Sequence, residues 1–69
     1  MSLQVRIKSA LEAGKLPVTQ ENMNEKAAVS ENLKLLLKEA ESSSDTVDPT
    51  IIVKAEELVL NIGFAVSST

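Results

Sequence analysis

The sequence predicts an all-α fold: a small three-helix domain, made of a helical hairpin preceded by a short N-terminal helix and completed by dimerisation. Three observations lead there. Apolar residues recur at helical spacing in three segments: Leu3, Ile7, Ala10 and Leu11; then Val29, Leu33, Leu36, Leu37 and Ala40; then Ile51, Ala55, Leu58 and Ile62. Residues that stop and restart helices fall between them, namely Gly14, Pro17, a serine run and Asp48-Pro49. With 69 residues, one aromatic side chain and no cysteine, the chain can build one aliphatic core at most. A chain of this size buries only about 60% of the surface its unfolded form exposes.

The first helix is expected over Leu3–Ala13, ended by Gly14 in the left-handed conformation. A strand competes over residues 3–7, where Leu3, Val5 and Ile7 alternate with Gln4 and Arg6. A loop over about 14–19 follows, because Pro17 disfavours helical geometry at Leu16; Leu16 and Val18 are placed to cover the bottom of the core. Thr19 is the expected N-cap of a second helix, with Glu21 in the first turn beside the positive end of the dipole. That helix runs to about Ser42. A second loop, about 42–48, holds Ser and Asp side chains that compete for backbone hydrogen bonds. Asp48 then caps a third helix, with Pro49 at its first position, where a missing N–H costs nothing. This helix runs to about Val66, with a frayed tail at 67–69. Its β-branched residues and Gly63 give it poor intrinsic propensity, so packing has to hold it. A strand over 57–66 is the alternative.

The third helix carries apolar residues on two opposed sides. Ala55, Leu58, Ile62 and Ala65 lie within about 40° of Ile51, with Ile52, Val59 and Val66 along one shoulder. Val53, Leu60 and Phe64 form a second stripe nearly opposite, and the second helix repeats this faintly with Ala28 and Leu35. A three-helix monomer has no element left to cover that side. Small domains compensate for a thin core with disulfides, metals or oligomerisation, and this chain has neither cysteine nor histidine. The economical arrangement is a twofold homodimer with the third helix at its interface, and Ala28, Leu35, Val53, Leu60 and Phe64 are the residues expected to meet the second copy or another partner; the alternative is a monomer in which they are ordinary exposed apolar residues. Without Trp or Tyr, affinity for any partner has to come from aliphatic area.

The net charge of −3 is uneven. Residues 1–20 carry Arg6, Lys8 and Lys15 against Glu12, residues 21–38 are balanced, and residues 39–69 hold six acids against Lys54, for +2, 0 and −5. This gradient argues against a broad phosphate-binding surface and so against direct nucleic-acid binding. Charges interrupt every apolar run before it reaches the length of a signal-peptide core, and the stretch from Leu58 to Thr69 is too short to span a bilayer. The expectation is a cytoplasmic protein that does not enter membranes.

Catalytic chemistry has little to rest on. There is no His or Cys, no Gly-rich phosphate loop and a single arginine. Glu56 and Glu57 are adjacent, and neighbours on a helix diverge by about 100°. Asp45 and Asp48 lack the oxygen count of a calcium loop, and capping explains them better. A phosphate on Ser42, Ser43 or Ser44 could alter the turn before Asp48, but a solvated loop is the simpler reading. Lys26, Lys34 and Lys38 read as a solvated outer face of the second helix. No enzyme activity, cofactor, metal or small-molecule substrate is expected.

The stretch "LLKEAESSSDTVDPTIIVKAEELVL", with Glu41, the Ser/Asp turn through Asp45 and the closing "EELVL", resembles the enterobacterial AriR (YmgB) family of small helical biofilm and acid-resistance regulators. "ALEAGKLPVTQENM" is similar to that family's first helix, glycine, short connector and second helix. The resemblance implies an all-helical homodimer with a regulatory role and no cofactor; it transfers no site residue. The functional expectation is a non-catalytic homodimeric regulator or adaptor that binds an as yet unidentified protein. Its alternatives are a nucleic-acid-linked regulator, or a structural piece of a larger phage or bacterial assembly.

Overall fold

The computed structural model describes residues 2–43 and 46–68. It contains three helices, α1 (Leu3–Ala13), α2 (Met23–Ser42) and α3 (Pro49–Ser67), and no strand among the described residues. Both strand alternatives are thus replaced by helix, since the alternation at 3–7 and 57–66 is too short to outweigh the longer 3.6-residue period around it. Ser67 is the last residue of α3, one position beyond the expected end.

Each helix begins on a side-chain cap or a turn. At α1 the Ser2 hydroxyl accepts from the Val5 N–H at 3.2 Å. At α3 the Asp48 carboxylate accepts from the Thr50 N–H at 2.9 Å, with Pro49 in the first turn. The expected start of α2 is corrected. Thr19 and Asn22 cap each other: the Thr19 N–H donates to Asn22 Oδ1 at 2.7 Å and the Asn22 N–H donates to Thr19 Oγ1 at 3.2 Å. This closed turn, tied also by Asn22 Nδ2 to the Pro17 carbonyl at 3.0 Å, delays the helix to Met23. Glu25, not Glu21, then occupies the first turn. Leu16 is 65% exposed and does not cover the core, while Val18 is half-buried.

The chain runs up, down and up. Arg6 and Glu39 meet at 3.0 Å, and the Asp48 N–H donates to Gln4 Oε1 at 3.0 Å. The start of α1 therefore lies beside the end of α2 and the start of α3, so α1 and α3 run parallel with α2 antiparallel to both. The core comprises Leu3, Ile7 and Ala10 of α1, Leu33 and Leu36 of α2, and Ile51 and Ala55 of α3. Leu11, Val29, Leu37, Val59 and other half-buried aliphatic residues pack around it. At about 1.5 Å per residue, the 11 residues of α1 reach only about half the length of the 20-residue α2.

Gly14 ends α1 as expected, but its φ of −99° and ψ of 2° are not left-handed. Its N–H donates to the carbonyls of Ala10 and Leu11 at 3.0 and 3.2 Å. Close approach explains the glycine instead. A Cβ there would stand 2.9 Å from Leu58 Cδ2 and 3.1 Å from Val29 Cγ1, so the end of α1 is wedged between the other two helices.

Lys26 also departs from expectation. It is 3% exposed, and its Nζ donates to the Ala13 carbonyl at 3.4 Å. The stem fills the gap beneath α1, and the ammonium sits at the negative end of that helix, where a cation is favoured. Ser30, one turn on, is buried as well. The inward side of α2 is therefore rotated toward Lys26 and Ser30 relative to the apolar stripe.

Gly14→Ala is expected to lower the unfolding free energy by about 1–2 kcal/mol through overpacking, read by urea titration. The loss shrinks in a Leu58→Ala background, where the nearest obstructing atom is gone. Lys26→Glu, which buries a carboxylate against a carbonyl, should cost about 3–5 kcal/mol and abolish a cooperative thermal transition followed by circular dichroism. Lys34→Glu on the exposed side should keep that transition.

Candidate interaction surface

All five residues assigned to an interface are exposed: Ala28, Leu35 (67%), Val53 (50%), Leu60 (61%) and Phe64 (72%). They do not form one patch. Val53, Leu60 and Phe64 make a ridge along the outside of α3. Beside Leu60 and Phe64 runs a groove of about 330 Å³ whose far wall is Ser30 and Lys34 of α2, not Ala28 or Leu35. Those two fall about 100° further round α2 from Lys34, on its outer side.

Gly63 lies in the floor of this groove. A Cβ built on it meets nothing within 4 Å, and its φ is negative. Neither packing nor backbone geometry within the chain calls for a glycine there, although glycine inside a helix costs about 1 kcal/mol relative to alanine. The recess it leaves lies next to the most exposed large apolar side chain of the described residues, Phe64.

The cause of this open side is positional. α1 packs on one face of the α2–α3 hairpin, and the opposite seam stays uncovered. Along it lie the groove at Gly63 and a smaller one lined by Leu37, Ala40, Glu41, Ile52 and Glu56. Ile62 on the inner side of α3 is 3% exposed, so the core stripe and the outer ridge of α3 are distinct, as the residue spacing indicated.

Charged side chains are distributed around the surface, with Glu56 and Glu57 diverging as their adjacency on a helix requires. Glu56 borders the α2–α3 seam, whereas Glu57 borders a groove between α1 and α3, so the two carboxylates point to different surfaces. Arg6 lies beside α2 and pairs with Glu39, while Lys8 and Lys15 line the α1–α3 groove. The three N-terminal cations thus do not share one face. Among the described residues no group of three or more His, Cys, Asp or Glu is placed to hold a metal ion, and no helix is long and apolar enough to cross a membrane. Ser44 and Asp45, part of the serine run and of the Asp45/Asp48 pair, lie outside the described residues.

Comparison with family models, with curated proteins and with solved structures finds no match to this chain.

Arg6→Ala removes the one ion pair that links two helices among the described residues. Its partners are 46% and 49% exposed, so the loss of stability should stay below about 1 kcal/mol, measured as a shift in the urea midpoint.

Proposed function

We propose that the chain is a non-catalytic, cytoplasmic homodimeric adaptor or regulator, acting without a cofactor by binding another protein, with its twofold contact on the outer side of α3. The observation that carries this reading is the pairing of a protruding Phe64 with the recess at Gly63 on the same surface. A twofold interface requires a patch complementary to itself, so that a knob on each copy enters a hole on the other. Leu60 and Phe64, one turn apart, supply the knob; Gly63 lets a second backbone approach.

Size supports the same reading. A standard interface takes about 800 Å² from each partner, roughly a sixth of the 4837 Å² that this chain exposes. The uncovered α2–α3 seam is where a further helix would complete a four-helix bundle, and α3 of a second copy has the apolar ridge to fill it. The regulatory role also agrees with what the sequence resemblance implies. Ala28 and Leu35, set apart from the ridge, stay available for a contact with another protein.

Two variants test the dimer. Leu60→Ser with Phe64→Ser should convert a dimer to a monomer in sedimentation equilibrium while preserving the helical spectrum. Gly63→Ala should raise the stability of the dilute monomer by about 0.5–1 kcal/mol and weaken self-association at least several-fold, because the new methyl group occupies the crossing point. Wild-type protein that sediments as a single chain at high concentration contradicts the reading.

A further inference from the structure

A different groove, between α1 and α3 on the side away from the α2–α3 seam, is larger, at about 560 Å³. Val5, Leu11 and Ile51 give it an apolar floor, and Lys8, Lys15 and Lys54 stand around it. Three of the seven basic side chains of a chain with ten acids therefore gather at one cleft. Among the described residues only Glu12 opposes them in the groove, paired with Lys15 at 3.2 Å; Glu57 lies in the shallower continuation past Lys54. Among the described residues neither Lys8 nor Lys54 takes part in an ion pair. Val5 is 45% exposed despite its place in this floor.

We infer that this cleft docks an acidic amphipathic helix of a partner protein, with aliphatic residues at i, i+4 and i+7 on the floor and flanking carboxylates against Lys8, Lys15 and Lys54. Charge complementarity selects this occupant. An apolar floor is of no use to a phosphate backbone, no aromatic side chain lines the cleft for base stacking, and three lysines make a small footprint for nucleic acid. Two parallel helices, by contrast, form the trough into which an amphipathic helix lays its apolar side. The 11 residues of α1 span about 16 Å, which matches three turns of such a helix. This inference names the partner's chemistry for the adaptor reading and rests on that reading, but it does not depend on the dimer, which uses the other side of α3.

The probe is a fluorescently labelled 15-residue synthetic helix carrying leucines at i, i+4, i+7 and i+11 with glutamates on both flanks, titrated with the full chain and followed by anisotropy. Binding is expected to weaken at least tenfold in Lys8→Glu, Lys54→Glu and by a smaller factor in Lys8→Gln, Lys54→Gln. It should also weaken when salt is raised. These lysines are outside the core, so both variants should keep the wild-type circular dichroism spectrum. A probe with serines in place of the leucines should lose binding, and Leu60→Ser, Phe64→Ser should retain it.

No binding at about 1 mM, equal affinity in the charge-reversed variant, or equal affinity of the serine probe overturns the inference. So does self-association that disappears in Lys8→Glu, Lys54→Glu, because the occupant would then be a second copy, whose α3 ridge is flanked by Glu56 and Glu57. A wild-type monomer that binds the probe as expected defeats the dimer alone. A dimer indifferent to the charge reversal defeats the cleft alone.

Discussion

The whole arrangement depends on how closely the end of α1 can approach the α2–α3 hairpin. With no aromatic side chain in the core and no cysteine for a disulfide, cohesion comes from the dispersion contacts of small aliphatic groups, and these fall off within a fraction of an ångström of ideal separation. Gly14 makes the approach close by presenting no Cβ to Leu58 and Val29. Lys26 reaches the same place from below and meets the carbonyl end of α1. At the opposite end, Gln4 and Arg6 hold α1 to Asp48 and Glu39. The short helix is thus secured at both ends, by packing at one and by polar contacts at the other.

Placing α1 on one side of the hairpin has a consequence for every other surface. The side it covers becomes the core, with Ile7 and Leu33 fully buried. The seam it leaves open keeps the Gly63 recess, and the ridge of Val53, Leu60 and Phe64 remains in water. The crevice along its own flank, between α1 and α3, collects lysines from two helices that are distant in sequence. Two distinct surfaces follow from one packing choice. One is an apolar ridge beside the Gly63 recess, and the other is an apolar trough beneath a rim of lysines.

The helices were largely legible in the residues, because caps and periodicity act over a few positions. Asp48-Pro49 started α3 as its chemistry dictates, and Leu3–Ala13 followed from apolar spacing and the stop at Gly14. The start of α2 was not legible at Thr19, since the reciprocal Thr19/Asn22 turn and the helix cap draw on the same polar side chains. The exposure of Ala28, Leu35, Val53, Leu60 and Phe64 was legible as a second stripe. Their division into two patches was not, because relative rotation of two packed helices is not encoded in either one's period. Lys26 misled for a related reason: a lysine near a helix edge reads as solvated until a neighbouring helix end is laid over it.

By itself, then, the sequence determined that there are three helices, nearly where each begins and ends, and that α3 is apolar on two sides. Each of these is a local property, set by side chains within a turn or two of one another. Only the tertiary structure decided which side of the hairpin α1 covers, why residue 14 is glycine, that Lys26 is buried and that Lys8, Lys15 and Lys54 border one cleft. Those outcomes depend on the distance between residues far apart in the chain, and that distance is set by how three aliphatic surfaces fit together.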